Sequence, residues 1–408
     1  MATLVPFRAL RPTPAAAARV AAVPYDVVNT DEARSLAAGN PLSFLHVSRA
    51  EIDLPPGTDL YAGAVYAKAA DNFAALKKAA PLVVEEAPSV YVYRLRMGAH
   101  VQTGVAACYS MAEYYTGIIK KHEHTRRDKE DDRTRHMVEL RAQTGPVFLV
   151  YRASRAIDDL VAKTMARGAP LFDVAAPDGV QHTIWNVDPS DQSGLVAAFE
   201  AVPALYIADG HHRAASAARA RRELAGPGGV AGEWDTFLAV AFPDTEVQVL
   251  PYNRIVRNLG TDTPSTLLAA LSARFTVRNG PAEPARKGEV AMFLDGRWHT
   301  IALGPAAAGL PAADRLDVSR LQDLVLTPLL GIGDVRADKR IDFVGGARGT
   351  AELERLITSG RAALAFSMYP VSVGDLMAVC DAGGIMPPKS TWFEPKLRDG
   401  LLSHEIPL

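Results

Sequence analysis

The sequence predicts an α/β (α+β) protein, and three observations carry that prediction. Helix-period and strand-period hydrophobic patterns alternate through most of the chain, where a bundle or a sandwich would show one pattern throughout. Several short apolar runs are bounded by turn residues, as buried strands are. The 408 residues, 48% hydrophobic and 22% charged, have the composition of a globular chain of two or three domains, which excludes a disordered or fibrous one.

The Ala-rich N-terminus is interrupted by Pro14, Arg19 and Pro24 before an apolar secretory core can form, so an ordered first strand and turn are expected there. A helix is predicted over Thr58 to Lys78, where Tyr61, Val65, Phe73 and Leu76 share a face. Val90 to Arg96 and Val101 to Tyr109 read as strands joined in a hairpin across Met97-Gly98-Ala99. Val147 to Tyr151, Leu205 to Ala208 and Phe237 to Phe242 are buried-strand runs able to join one central sheet, and Ala156 to Met165 and His211 to Leu224 read as helices. Gly/Pro-rich stretches at Ala225 to Gly232 and Gly304 to Ala312 punctuate the second half, with a hairpin turning at Asp295-Gly296 between them. This organisation predicts a core domain over 1–260, an α+β domain over 261–385 and a tail over 386–408 that packs back on the core.

Charge and cysteine content narrow the function classes. Forty-four Lys and Arg against 46 Asp and Glu leave a formal net charge of -2, so no global basic field recruits nucleic acid or an anionic membrane. Cys108 and Cys380 lie far apart, which excludes a disulfide scaffold and a thiolate zinc site and suits a reducing cytoplasm. No apolar run reaches the roughly 18 residues of a membrane span. The phosphate-binding and dinucleotide-binding glycine loops, the protein-kinase set, the Gly-x-Ser-x-Gly elbow and the His-Glu-x-x-His zinc helix do not occur.

Three segments have the residues for chemistry. The first is Lys120-Lys121-His122-Glu123-His124-Thr125-Arg126, leading into a charged helix that starts around Thr125 and puts Arg126, Lys129, Arg133 and His136 on one face. A solvated, salt-bridged helix is the bland alternative; a cationic stripe at a helix entrance fits a bound phosphate. The second is Ala208-Asp209-Gly210-His211-His212-Arg213, read as strand, tight turn and helix start. There backbone N–H groups and three cationic or hydrogen-bonding side chains meet, and Asp209 can cap, hold a metal or accept a proton. A capped helix with surface histidines is its structural alternative. The third, Met386-Pro387-Pro388-Lys389-Ser390-Thr391, is held extended by prolines and offers Lys389, Ser390 and Thr391 to a phosphate or an amino-acid carboxylate, with a structural tail that buries Trp392 and Phe393 as its equal alternative.

These segments, with Phe7-Arg8-Ala9 and Val23-Pro24-Tyr25-Asp26-Val27-Val28, resemble a large prokaryotic family of full-length proteins of uncharacterised function, over nearly the whole chain. The Asp209-to-Arg213 box also resembles that of free serine kinases of the ParB/sulfiredoxin-like fold, in which a His-Glu segment, a strand and this box follow in that order, as His122-Glu123, Val147 to Tyr151 and Asp209 to Arg213 do here. The resemblance implies a mixed-sheet core of that fold with large insertions, and phosphoryl transfer to the hydroxyl of a serine-like amino acid to give O-phosphoserine.

Phosphoryl transfer needs cations around the migrating group, an in-line hydroxyl and a carboxylate to take its proton. Lys120, Lys121, His122, Arg126, His211, His212 and Arg213 are the expected phosphate ligands, and Glu123 the expected base. Asp209 is expected as a second carboxylate and Mg²⁺ ligand, and Lys389, Ser390 and Thr391 as acceptor contacts. Relatives use nucleotides, including ADP; inorganic pyrophosphate or polyphosphate fits the same cations. The competing classes are a ParB-like nucleotide-responsive DNA-binding or regulatory protein and a phosphate-ester or pyrophosphate hydrolase.

Overall fold

The structure, a computed structural model, describes residues 1–79, 82–226 and 229–407. Pro227 and Gly228, inside the expected Gly/Pro-rich stretch, and Leu408, at the end of the expected tail, lie outside the described residues. The chain forms two compact units, Met1–Val247 with Pro395–Leu408, and Gln248–Glu394. It leaves the first unit earlier than the boundary near 260 read from the sequence, because Tyr252–Val256 pairs with both Ile341–Gly345 and Leu364–Met368. It rejoins that unit at Pro395, later than the tail expected from 386, since Trp392–Glu394 is still paired with Gln248–Leu250.

The first unit is built on a mixed sheet of nine strands among the described residues. Its order is Ile119–Lys120, Leu205–Asp209, Val147–Tyr151, Thr236–Pro243, His100–Ser110, Tyr91–Met97, Val180–Asn186 and Phe172–Ala175, with Leu4–Val5 added against His100–Ser110. Two pairs are parallel, Ile119–Lys120 with Leu205–Asp209 and Val147–Tyr151 with Thr236–Pro243. The short apolar runs are strands because both their faces are covered: all five residues of Val147–Tyr151 are buried, as are the first four of Leu205–Asp209. Val105, Tyr109, Leu149, Leu205, Ile207 and Ala239 share one core cluster, with helix residues Ala214, Ala217 and Ala218 packed among them. The expected hairpin is present, with Met97 opposite His100 and Gly98 at φ +59°.

The N-terminal 79 residues contribute a helical layer whose own core includes Val20, Phe44, Leu45, Val65, Phe73 and Leu76. The helix predicted over Thr58 to Lys78 spans Gly63–Ala79, which leaves Tyr61 outside it and exposed. The charged helix spans Arg127–Leu140, and its predicted cationic stripe does not face a single anion site. Arg133 and His136 are buried: Arg133 pairs with Asp132 at 2.9 Å and lies 4.2 Å over the Tyr25 ring, while a ring nitrogen of His136 is 3.0 Å from the Val47 carbonyl. They tie the helical layer to the sheet unit, and partners inside the protein occupy the groups that an anion would need.

The second unit contains a six-stranded antiparallel sheet ordered Thr276–Asn279, Arg297–Ala302, Glu289–Leu294, Leu364–Met368, Tyr252–Val256 and Ile341–Gly345, with helices including Pro264–Ser272, Gly349–Thr358 and Val373–Asp381. Asp295 and Gly296 both take positive φ, +50° and +73°, as the predicted two-residue hairpin requires. Both units mix helices and sheet, which is the α/β (α+β) class read from the sequence. No helix among the described residues is long and apolar enough to cross a membrane.

Candidate functional site

The first and second chemical segments meet. Ile119–Lys120 runs parallel to Leu205–Asp209 with Leu205 opposite Ile119 and Tyr206 opposite Lys120, so both strands end at the same edge of the sheet. The loop 121–126 and the Asp209-Gly210 turn therefore leave the sheet side by side. Gly210 takes φ +93°, which lets the chain pass from strand to helix without a Cβ clash, and the helix His211–Leu224 begins at the next residue. The first intrahelical bond runs from the Ala214 N–H to the Gly210 carbonyl at 2.9 Å, so the amides of His211, His212 and Arg213 precede it.

Two histidines of the box hold the neighbouring loop. The Nε2 of His211 accepts the His122 N–H at 3.3 Å, and the Nε2 of His212 accepts the Arg126 N–H at 3.0 Å. The His122 and His211 rings meet edge to face, 4.4 Å between centroids at 86°. Burial pushes His122 down to about 4 and His211 well below the usual imidazole range, so both are neutral at physiological pH. The sequence assigns His122, His211 and His212 to phosphate. In the folded chain the Nε2 atoms of the last two are acceptors, which makes them anchors for the loop carrying Glu123.

Asp209 is the electrostatic centre of the turn. Its carboxylate accepts from the Gly210 N–H at 3.0 Å, from Arg213 at 3.2 Å and from Lys396 at 3.3 Å. Burial pushes its carboxyl up, but Lys396 and Arg213 outweigh that and hold it well below the ordinary carboxylate range. Arg213 is buried, donates to the Pro146 carbonyl, and lies 3.8 Å from Asp26. A small cavity of about 40 Å³ beside it is lined by Tyr25, Arg133, His136, Gly145, Arg213 and Asp399 among others. Burial drives the Asp399 carboxyl up to about 7, with Arg213 opposing and Asp26 adding to the shift.

The remaining predicted residues divide. Lys120 lies 5.8 Å over the Tyr206 ring and Lys121 3.8 Å over Tyr114, both on the strand and loop that border the turn. The Arg126 guanidinium is exposed and paired with Asp128 at 2.7 Å. Glu123 is half-buried, with a carboxylate oxygen within 4.8 Å of a ring nitrogen of His122 and one of His211. Lys389, Ser390 and Thr391 belong to the second unit, where Lys389 lies 5.5 Å over Tyr252 and the Ser390 hydroxyl donates to the Pro387 carbonyl at 2.6 Å.

Sequence reasoning gave no site role to Tyr25, Asp26, Lys396 or Asp399. Tyr25 and Asp26 stand in the Val23-to-Val28 motif, which was a usable signal. Lys396 and Asp399 are single charges in a tail, and only folding brings them to Asp209 and Arg213.

A protein-held Mg²⁺ does not fit at Asp209. Mg²⁺ requires near-octahedral oxygen ligation, and the Asp209 oxygens already meet two cationic side chains and an amide.

Among solved structures, the chain is similar to a free serine kinase in complex with AMP, 12% identical, covering 73% of this chain and 91% of that one at a TM-score of 0.35. It is also similar to SbnI with a C-terminal truncation from Staphylococcus aureus, 10% identical, covering 73% and 87% at a TM-score of 0.39. A conserved hypothetical protein from Pyrococcus furiosus is 13% identical, covering 73% and 94% at a TM-score of 0.36. No curated protein matches the chain. The model of one family matches residues 4–319, spanning the nine-stranded sheet, both boxes and the start of the second unit, and the chain belongs to that family, described as protein of unknown function (DUF1015).

Proposed function

We propose that this protein is a phosphotransferase that moves a phosphoryl group from a nucleotide, pyrophosphate or polyphosphate donor to the hydroxyl of a serine-like amino acid. The observation that carries the reading is the parallel pairing of Ile119–Lys120 with Leu205–Asp209, which sets a carboxylate-bearing loop beside a helix start. In this reading Lys120, Lys121 and the first-turn amides of His211 to Arg213 bind the donor phosphates, as cations and free N–H groups at a helix N-terminus do. Glu123 takes the hydroxyl proton while the hydroxyl oxygen forms its bond to phosphorus and the donor's bridging P–O bond breaks. His211 and His212 keep the Glu123 loop in place, and Arg213 and Lys396 keep Asp209 ionised to orient the acceptor.

The test is incubation of purified protein with serine, Mg²⁺ as counter-ion and a panel of nucleoside di- and triphosphates, pyrophosphate and polyphosphate. Phosphoserine supports the reading. Free phosphate without phosphoserine identifies a hydrolase, and no turnover of any donor removes the phosphotransferase reading.

A further inference from the structure

We propose that His122, Glu123 and His211 form a binding site for a divalent transition-metal ion. One ring nitrogen of each histidine and a carboxylate oxygen of Glu123 lie within 4.8 Å of one another, the one group of this kind among the described residues. His122 is 2% exposed and its Nδ1 has no hydrogen-bond partner. A buried polar atom left unpaired costs about 1–3 kcal/mol, and a metal ion would satisfy it.

His211 is 6% exposed and held at the helix start. Its Nε2 is engaged by one long hydrogen bond, 3.3 Å from the His122 N–H, which a metal would replace. Tetrahedral ligation brings donors to about 3.3 Å from each other. The half-buried Glu123 side chain can make most of that approach, while burial holds the His122 imidazole on the same loop and the helix start holds that of His211.

Two imidazoles and one carboxylate select Zn²⁺, Mn²⁺, Fe²⁺, Co²⁺ or Ni²⁺ over Mg²⁺ and Ca²⁺, which take oxygen. Three protein ligands leave an open position, as catalytic rather than structural zinc sites do. The inference goes beyond the phosphotransferase reading and does not depend on it. A metal on Glu123 occupies the carboxylate that the base role uses, so the test reads metal binding rather than turnover.

The full chain, stripped with chelator, is titrated with Co²⁺ and with Zn²⁺. Visible Co²⁺ absorption of a tetrahedral or five-coordinate site, displaced by a single equivalent of Zn²⁺, is the expected result. His122→Ala, His211→Ala and Glu123→Gln should each weaken Co²⁺ binding at least about tenfold, no less than loss of an outer-shell partner does. His124→Ala, exposed on the same loop, should keep it. If the histidine variants fail to fold, half-exposed Glu123→Gln decides. Absence of Co²⁺ absorption in the unmodified chain, or unchanged binding in folded Glu123→Gln, overturns the proposal.

Discussion

Lys396 meets Asp209 at 3.3 Å, joining a strand-end carboxylate to a lysine 187 positions later in the chain. The pair lies in one unit because the chain returns to that unit at Pro395. Asp209 is about a quarter exposed and Lys396 less, so the pair is screened less than a surface ion pair and more than a fully buried one.

Lys396→Met should therefore destabilise the fold by about 1–3 kcal/mol. A double-mutant cycle with Asp209→Asn in urea denaturation should return a coupling of about 1 kcal/mol. Strict additivity of the two variants would mean that the pair contributes nothing.

Glu123→Gln keeps side-chain size and one hydrogen-bonding oxygen while removing the proton acceptor. Serine phosphorylation should fall by at least about 10²-fold through kcat, with thermal stability and donor binding retained. Near-normal turnover would transfer the base role to another group, Asp209 first.

Asp399 gives the fold a pH signature. Its folded carboxyl stands at about 7, above the roughly 3.9 of an unfolded aspartate, so between those values the folded chain keeps a proton that the unfolded chain has lost. That contribution is complete below the unfolded value and is lost as pH rises through the folded one. Asp399→Asn stays neutral throughout. The stability of the unmodified chain minus that of Asp399→Asn should fall by a few kcal/mol, about 1–4, from about pH 4 to pH 8. A flat difference in melting profiles across that range would show that Asp399 is ionised at every pH tested.

Gly210→Ala places a Cβ at φ +93° and 3.2 Å from the Arg213 guanidinium carbon. Gly98→Ala, in the hairpin at φ +59° with nothing within 4 Å of the new Cβ, carries backbone strain alone. Both should destabilise, by about 1–3 kcal/mol, and Gly210→Ala by more because Arg213 must also shift. Equal losses in thermal denaturation would mean that the Arg213 contact is soft.

Much of the sheet unit was legible in the sequence. Val147–Tyr151 and His211–Leu224 occur where their patterns predict them, and the strands around Gly98 and at Leu205 and Phe237 shift by a residue at their ends. Their signals are local: a run buried on both faces must be apolar throughout, a helix after a tight Gly turn has its N-terminus written in the turn, and a two-residue hairpin needs residues that tolerate positive φ. The residue types of the site were legible for the same reason, since Asp-Gly-His-His-Arg and Lys-Lys-His-Glu each concentrate charge and hydrogen-bonding capacity in a few consecutive positions.

What each of those residues does was decided by tertiary structure. Arg133 and His136 have the spacing of a phosphate-facing stripe, yet Asp132, Tyr25 and the Val47 carbonyl engage them in the interior. His211 and His212 look like anion donors and accept backbone N–H groups instead. By itself the sequence determined an α/β chain with two polar boxes at a strand end and a helix start. The parallel pairing of Ile119–Lys120 with Leu205–Asp209 brought the boxes together, and the return of the chain at Pro395 put Lys396 on Asp209. Pairing between distant strands depends on which edges and faces remain to be covered after the rest of the sheet has formed, and no local pattern of residues encodes that choice.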